Sequence, residues 1–192
     1  VAGLLASLAD DEVDLRSGLV DDLLDAPGVD PAVRNELGER EPRDLAAIVA
    51  LITELADFER LAHLVEVTPD KLAPHLFGER PAAECVVGEV DGEVVAFALY
   101  FTNFSTFLAR PGLYLEDLYV RPAHRGIGLG KALLGHLARL AAERGCGRFE
   151  WSVLDWNADA IAFYQGLGAT VMPDWRICRI SGEALDRFAV PA

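Results

Sequence analysis

Cysteine is scarce in this chain. Only Cys85, Cys146 and Cys178 occur among 192 residues, and they are far apart. They are too few and too scattered for a disulfide framework or a zinc site, and they read as reduced, buried thiols. The four histidines, His63, His75, His124 and His136, show no metal-ligand spacing, so no metal is expected. Long apolar runs are missing too, which excludes a membrane-spanning helix. The first residues lack the basic-then-apolar order of a signal peptide and hold Asp10, Asp11, Glu12 and Asp14 instead. Positive charge is short, with 17 Lys plus Arg against 31 Asp plus Glu and a formal net charge of −14. That argues against nucleic acid or an anionic membrane as partner and favours small cations. The reading is a soluble, intracellular protein of the cytoplasm.

What is present is enough for one globular core. Hydrophobic residues make up 52% of the chain, which excludes general disorder. The acids are uneven: residues 1–41 hold eleven acids and three bases. This segment reads as an acidic helical N-terminal extension, with Ser17 as one helix cap and Asp30-Pro31 as another. The main domain spans 42–192. Its first helix covers 42–64, opened by Pro42, with Leu45, Ile48, Val49, Ile52 and Leu55 at helical spacing. Thr68-Pro69 caps a second, shorter helix. Ala83–Val90 and Glu93–Thr102 form a hairpin across Asp91-Gly92. Asn103–Pro111 reads as a loop. Strands follow at Leu113–Val120 and Arg148–Val153, and helices at Gly126–Arg144 and Ala158–Leu167. Ala169–Met172 and Arg176–Ile180 read as two short strands. The order predicts an α/β (α+β) fold, a central mixed, mostly antiparallel sheet with helices on both faces.

The stretch Arg125-Gly126-Ile127-Gly128-Leu129-Gly130-Lys131 stands between a strand and a helix. Glycines there let backbone N–H groups approach an anion at a helix N-terminus. A Walker loop needs four residues between its first Gly and Gly-Lys, and Gly126 is one residue too close. A dinucleotide fingerprint needs Gly-x-Gly-x-x-Gly after the first strand of a parallel unit, and neither spacing nor context fits. Pyrophosphate of coenzyme A is the third reading. A tight turn alone would explain one or two glycines, but not three flanked by Arg121, Arg125 and Lys131.

The run from Leu113 to Lys131, LYLEDLYVRPAHRGIGLGK, resembles the acetyl-CoA signature of the GNAT superfamily. More narrowly the chain is similar to the diamine (spermidine/spermine) acetyltransferases and their bacterial relatives, from about residue 42 to the end. Glu54–Glu59, Leu76–Glu79, Glu93–Tyr100 and Trp156-Asn157 with Ile161–Tyr164 carry the rest of the likeness. It departs at 36–41, where the family has its first strand and this chain is polar and weak as a strand.

The resemblance implies roles. Arg125, Gly126, Ile127, Gly128, Leu129, Gly130 and Lys131 would hold the pyrophosphate of acetyl-CoA. Leu118, Tyr119 and Val120 would offer main-chain groups to its pantetheine arm, with a backbone N–H near Leu118 at the developing oxyanion. Asn157 joins the cofactor set. Tyr164 would be the general acid for the departing thiolate, a transfer between groups with pKa values of ~10 and ~8.5. On the residues alone, Tyr164 reads better as a half-buried aromatic on an amphipathic helix beside Phe163; the resemblance favours the acid. Glu116 and Asp117, adjacent on a strand, point to opposite faces unless a bulge re-aims them. Glu116 is taken as the substrate-facing carboxylate and second catalytic residue, with Asp117 also near substrate. Phe58 and Glu59 match the family's substrate pair, Glu59 holding a distal ammonium, and Trp175 walls the amine channel. A homodimer is implied as well.

The expected activity is acetyl transfer from acetyl-CoA to a primary amine of a polyamine, diamine or lysine-like molecule. A protein or peptide amine is a second acceptor class, with Phe104 and Phe107 shaping a groove. A non-catalytic acyl-CoA sensor is a third possibility, against which the retained Tyr164 speaks.

Overall fold

The computed structural model describes residues 37–39 and 41–189. Of the helical extension expected over residues 1–41, residues 1–36 and 40 lie outside the described residues, and Leu37–Glu39 form a strand of the sheet instead. The described chain forms two compact units, one running to Ser152 and the other beginning at Val153.

The first unit is built on a five-stranded sheet in the order β1-β2-β3-β4-β5. β1 is Leu37–Glu39, β2 Glu84–Val90, β3 Glu93–Ser105, β4 Arg110–Val120 and β5 Phe149–Trp151. The pairs from β1 to β4 are antiparallel, and β4 pairs with β5 in parallel. The sheet therefore begins inside the polar stretch read as weak, with Leu37 opposite Gly88. An edge strand is held by backbone hydrogen bonds, so apolar patterning was a poor guide to it. The β2–β3 turn follows the expected chemistry. Asp91 and Gly92 both have positive φ, 54° and 79°, as a type I′ hairpin demands. The loop expected over Asn103–Pro111 is mostly strand instead, since β3 and β4 stay paired out to Ser105 and Arg110. Phe104 and Phe107 stand exposed at that hairpin's tip.

Two rows across the sheet show how each face receives its helix. Val87, Phe97 and Tyr119 lie opposite one another on β2, β3 and β4. They pack with Ile48 and Leu51 of α1, Leu45–Phe58, and Leu76 of α2, Pro69–Phe77. The next row, Gly88, Ala96 and Val120, points the other way. Its small residues admit α3, Leu129–Glu143, for a Cβ at Gly88 would come within 2.9 Å of Leu129 Cδ1. Leu129 is fully buried there.

α1 is shorter than the helix expected over 42–64. A 3-10 turn, Pro42–Asp44, precedes it, with Glu41 N–H donating to Asp44 Oδ2 at 2.7 Å. At its far end, Leu61 N–H donates to Ala56 O at 2.8 Å and Arg60 N–H to Asp57 O at 3.1 Å. Those two bonds are a Schellman stop, usually built on glycine. Here Arg60 takes the left-handed position, φ 62°, which is why no stop signal was legible.

The second unit holds α4, Ala158–Gly166, and α5, Glu183–Ala189. The two short strands expected at Ala169–Met172 and Arg176–Ile180 are not formed. Val171, Met172, Ile177 and Ile180 are exposed. Apolar composition suggests a strand, but a run of four or five residues becomes one only against a partner edge, and neither has one among the described residues.

The strained Arg60 gives a direct test. A left-handed non-glycine residue costs about 1–2 kcal/mol, offset by about 0.4–1 kcal/mol of extra unfolded-chain entropy in glycine. Arg60→Gly should therefore raise Tm by a few degrees in a thermal melt. An unchanged or lowered Tm would contradict this account of the helix stop.

Candidate active site

A bulge in β4 organises the site. Leu99 of β3 lies opposite Asp117, and its neighbour Tyr100 lies opposite Leu115, leaving Glu116 as the extra residue. Successive residues of β3 face opposite sides of the sheet, so Leu115 and Asp117 do as well, although they are two apart. Asp117 thereby joins the row of Leu99 on the face that α1 covers. Glu116 is exposed.

Beneath α1 lies an open cavity of about 270 Å³. Its walls are largely apolar, with Ile52 and Leu55 from α1 and Leu61 and Leu64 from the segment after it. Three acidic residues line it, Glu59 at the end of α1, Asp117 of β4 and Glu66; the Glu66 carboxylate is paired with Lys71 at 3.7 Å, which leaves Glu59 and Asp117 as the carboxylates available to a bound cation. Glu116, the carboxylate expected to face substrate, is not among its lining residues; the bulge has put Asp117 there. Burial pushes the Asp117 carboxyl up from its ordinary 3.8 to about 6, with the charges of Glu116 and then Glu59 adding to the effect. Burial also raises the Glu59 carboxyl. Two like charges in an apolar cavity favour a cation between them. The segment Leu61–Val67 was missed as a cavity wall because Arg60 hides the helix stop.

The glycine turn stands where β4 hands over to α3. Gly126 and Gly128 have positive φ, 83° and 95°. Gly128 is the N-cap of the 15-residue α3, and no side chain caps the helix. The first N–H groups of a helix lack backbone partners of their own. Among the described residues, a Cβ at Gly126 would meet nothing within 4 Å, and one at Gly130 only Val120 Cγ2 at 3.8 Å. No described residue crowds Gly126 or Gly130, so the turn has room for a pyrophosphate group. The flanking arginines, however, are engaged within the protein. Arg121 reaches Glu54 of α1, Nη2 to Oε1 at 2.9 Å, and also pairs with Glu93. Arg125 Nε donates to Val120 O at 2.9 Å, and its guanidinium lies near the Phe58 and Tyr119 rings, 5.4 and 5.6 Å from their centroids.

Between cavity and cradle, β4 has an open edge. β5 pairs with Leu113, Tyr114 and Leu115 only. From Glu116 to Val120 the side of β4 away from β3 has no strand partner among the described residues. Alternate main-chain groups of Leu118, Tyr119 and Val120 are thus turned toward that edge.

Three further candidates belong to the second unit. Asn157 caps α4, its Oδ1 accepting from Ala160 N–H at 3.3 Å. Tyr164 is half-buried on α4, its ring 5.6 Å from that of Phe163. Trp175 is exposed. Among the described residues no cluster of three His, Cys, Asp or Glu could hold a metal ion. None of their helices is long and apolar enough to cross a membrane.

Comparison with known proteins gives a consistent result. The sequence pattern of the Acetyltransferase (GNAT) family matches residues 49–169. The thialysine N-epsilon-acetyltransferase of Mus musculus is 38% identical over 162 residues, 79% of this chain and 95% of that protein. The L-ornithine N5-acetyltransferase of Arabidopsis thaliana is 34% identical over 189 residues, 75% of this chain and 83% of that protein. Among solved structures, an integron cassette protein from the mobile metagenome of V. cholerae superposes with a TM-score of 0.68 at 25% identity. It covers 80% of this chain and 96% of its own.

Asp117 carries a pH signature. Its folded pKa is raised, so the neutral carboxyl is the form the fold favours. The stability this contributes is full below 3.8 and is lost as pH rises through about 6. Asp117→Asn mimics the neutral form and should raise Tm at pH 8, by on the order of 1–3 kcal/mol of stability. At pH 4 the two proteins should melt together. Melting curves that stay superimposed at pH 8 would contradict this environment for Asp117.

Proposed function

The chain belongs to the acetyltransferase (GNAT) family and is an acetyl-CoA-dependent N-acetyltransferase; from that premise we propose that its acceptor is a small elongated molecule with two amines, a diamine, polyamine or lysine-like amino acid. The observation that carries this reading is the pair Glu59 and Asp117 in one apolar cavity. An alkyl chain suits the walls, and an ammonium at each end suits the carboxylates. The thialysine and ornithine acetyltransferases named above act, by their names, on molecules of this kind.

Acetyl-CoA supplies the thioester carbonyl that the amine attacks and the thiolate that leaves. The N–H groups of Gly126–Lys131 would bind its pyrophosphate, aided by the dipole of α3. The open edge at Leu118–Val120 would align the pantetheine arm by main-chain bonds. In this reading Glu59 binds the distal ammonium. Asp117 takes the proton from the reacting ammonium, directly or through water. A carboxyl with a pKa of about 6 is better poised for that near neutral pH than one at 3.8, though an ammonium with pKa near ~10 still holds its proton strongly. Glu116 helps by keeping that pKa high. Tyr164, on the family likeness, donates a proton to the thiolate as the C–S bond breaks and the C–N bond forms.

A turnover assay on paired amines tests the reading. Diamines and lysine-like amines should outperform monoamines of equal length, chiefly through KM. Tyr164→Phe should lower kcat by roughly 10²-fold, the range of general acid catalysis, with acetyl-CoA affinity nearly unchanged. Equal use of monoamines would overturn the substrate class. Preference for peptide amines would favour the protein-acceptor reading, and acetyl-CoA binding without turnover on any amine would favour a sensor.

A further inference from the structure

Two residues of α1 receive the connection between β4 and α3. Glu54 accepts from Arg121, and Phe58 lies under the guanidinium of Arg125. Residues 54 and 58 are one helical turn apart, so both contacts fall on the same stripe of α1. The next residue is Glu59, which enters the amine cavity. The other end of the connection is Gly126 and Gly128, which shape the phosphate cradle. Arg125 therefore stands between the two binding sites.

The orientation of Arg125 matters. Its Nε is committed to Val120 O, the last carbonyl of β4. Its flat guanidinium lies near two rings, Phe58 of α1 and Tyr119 of β4. That arrangement uses the planar, stacking character of arginine as well as its charge. A lysine would supply charge to a phosphate but could neither stack as a plane nor hold that bond geometry.

We propose that Arg125 is a positioning residue for the amine: it locks the end of α1, and so Glu59, to the end of β4, and acts only secondarily on the coenzyme. The inference rests on the diamine reading of the cavity. It means that amine selectivity depends on a residue of the glycine turn that the amine never touches.

The test compares Arg125→Lys, Phe58→Leu and wild type. Acetyl-CoA dissociation constants would come from calorimetry. KM and kcat would be measured for a diamine and for a monoamine of the same length. Arg125→Lys should raise the diamine KM about five- to tenfold, the scale of one or two cation–π contacts, a larger change than in the monoamine KM or the acetyl-CoA dissociation constant. Phe58→Leu should also raise the diamine KM, and because a direct substrate contact of Phe58 would do so independently of Arg125, the double variant decides: it should be no worse than either single. Circular dichroism checks that each variant folds, and Arg125→Gln, which removes the stacking cation, decides the matter by the same measurements should Arg125→Lys fail to fold. Weakened acetyl-CoA binding in Arg125→Lys with the diamine preference intact would overturn the proposal and make Arg125 an anion ligand. Additive losses in the double variant would overturn it as well. A wild type with no diamine preference fails differently, because it removes the substrate reading on which the proposal rests.

Discussion

One extra residue in β4 decides which carboxylate meets the amine cavity. Had β4 stayed regular, Leu115 and Asp117 would share a face. The bulge at Glu116 separates them, sending Leu115 into the row of Tyr100 and Asp117 into the row of Leu99. Leu115 can then be a core residue on one side while Asp117 faces α1 on the other. Bulges recur beside functional sites because they re-aim a side chain without breaking the sheet. Here the result is a carboxyl held in an apolar cavity with its pKa pushed up to about 6. The fold bears that cost in stability for the sake of a group poised near neutral pH.

The second constraint is the seat of α1 on β4. Ile48 and Leu51 bury one face of the helix against Val87, Phe97 and Tyr119. The polar contacts of Glu54 with Arg121, and of Phe58 with Arg125, fix the helix where burial alone would leave it free to slide. Apolar burial is non-directional, whereas a bidentate arginine contact has a geometry. The strained stop at Arg60 then releases the chain into the segment that walls the cavity. On the opposite face, Gly88 and Ala96 give α3 the room that brings its N-terminus beside the end of β4. The cavity proposed for the amine and the turn proposed for the pyrophosphate are thus set by the two helices on the two faces of the same strands.

Much of this was legible in the sequence where local chemistry dictates the outcome. Asp91-Gly92 specified the hairpin, the apolar spacing from Leu45 to Leu55 specified α1, and three glycines before an apolar helix marked the turn where Gly126 and Gly128 take positive φ. The misses share a cause: each depends on a tertiary partner. β1 is polar and exists because β2 offers an edge. Ala169–Met172 and Arg176–Ile180 are apolar but lack such an edge among the described residues. The stop at Arg60 uses a residue that rarely takes positive φ. The strand alternation left Glu116 and Asp117 as rivals, and only the register to β3 shows which one lines the cavity. Arg121 and Arg125 stand beside the glycine turn by position, while their partners Glu54 and Phe58 lie 67 residues earlier in the chain.

The central claim is that Asp117 and Glu59 share one cavity and feel each other's charge. It is tested most directly by following the Asp117 carboxyl through a pH titration by NMR, in wild type and in Glu59→Gln. In wild type its pKa should lie near 6. It should fall in Glu59→Gln, because a repelling neighbour is gone, and fall again in wild type on adding a diamine, because a cation has arrived. An Asp117 pKa near 3.8, or one that moves with neither the Glu59 change nor the diamine, would contradict the account.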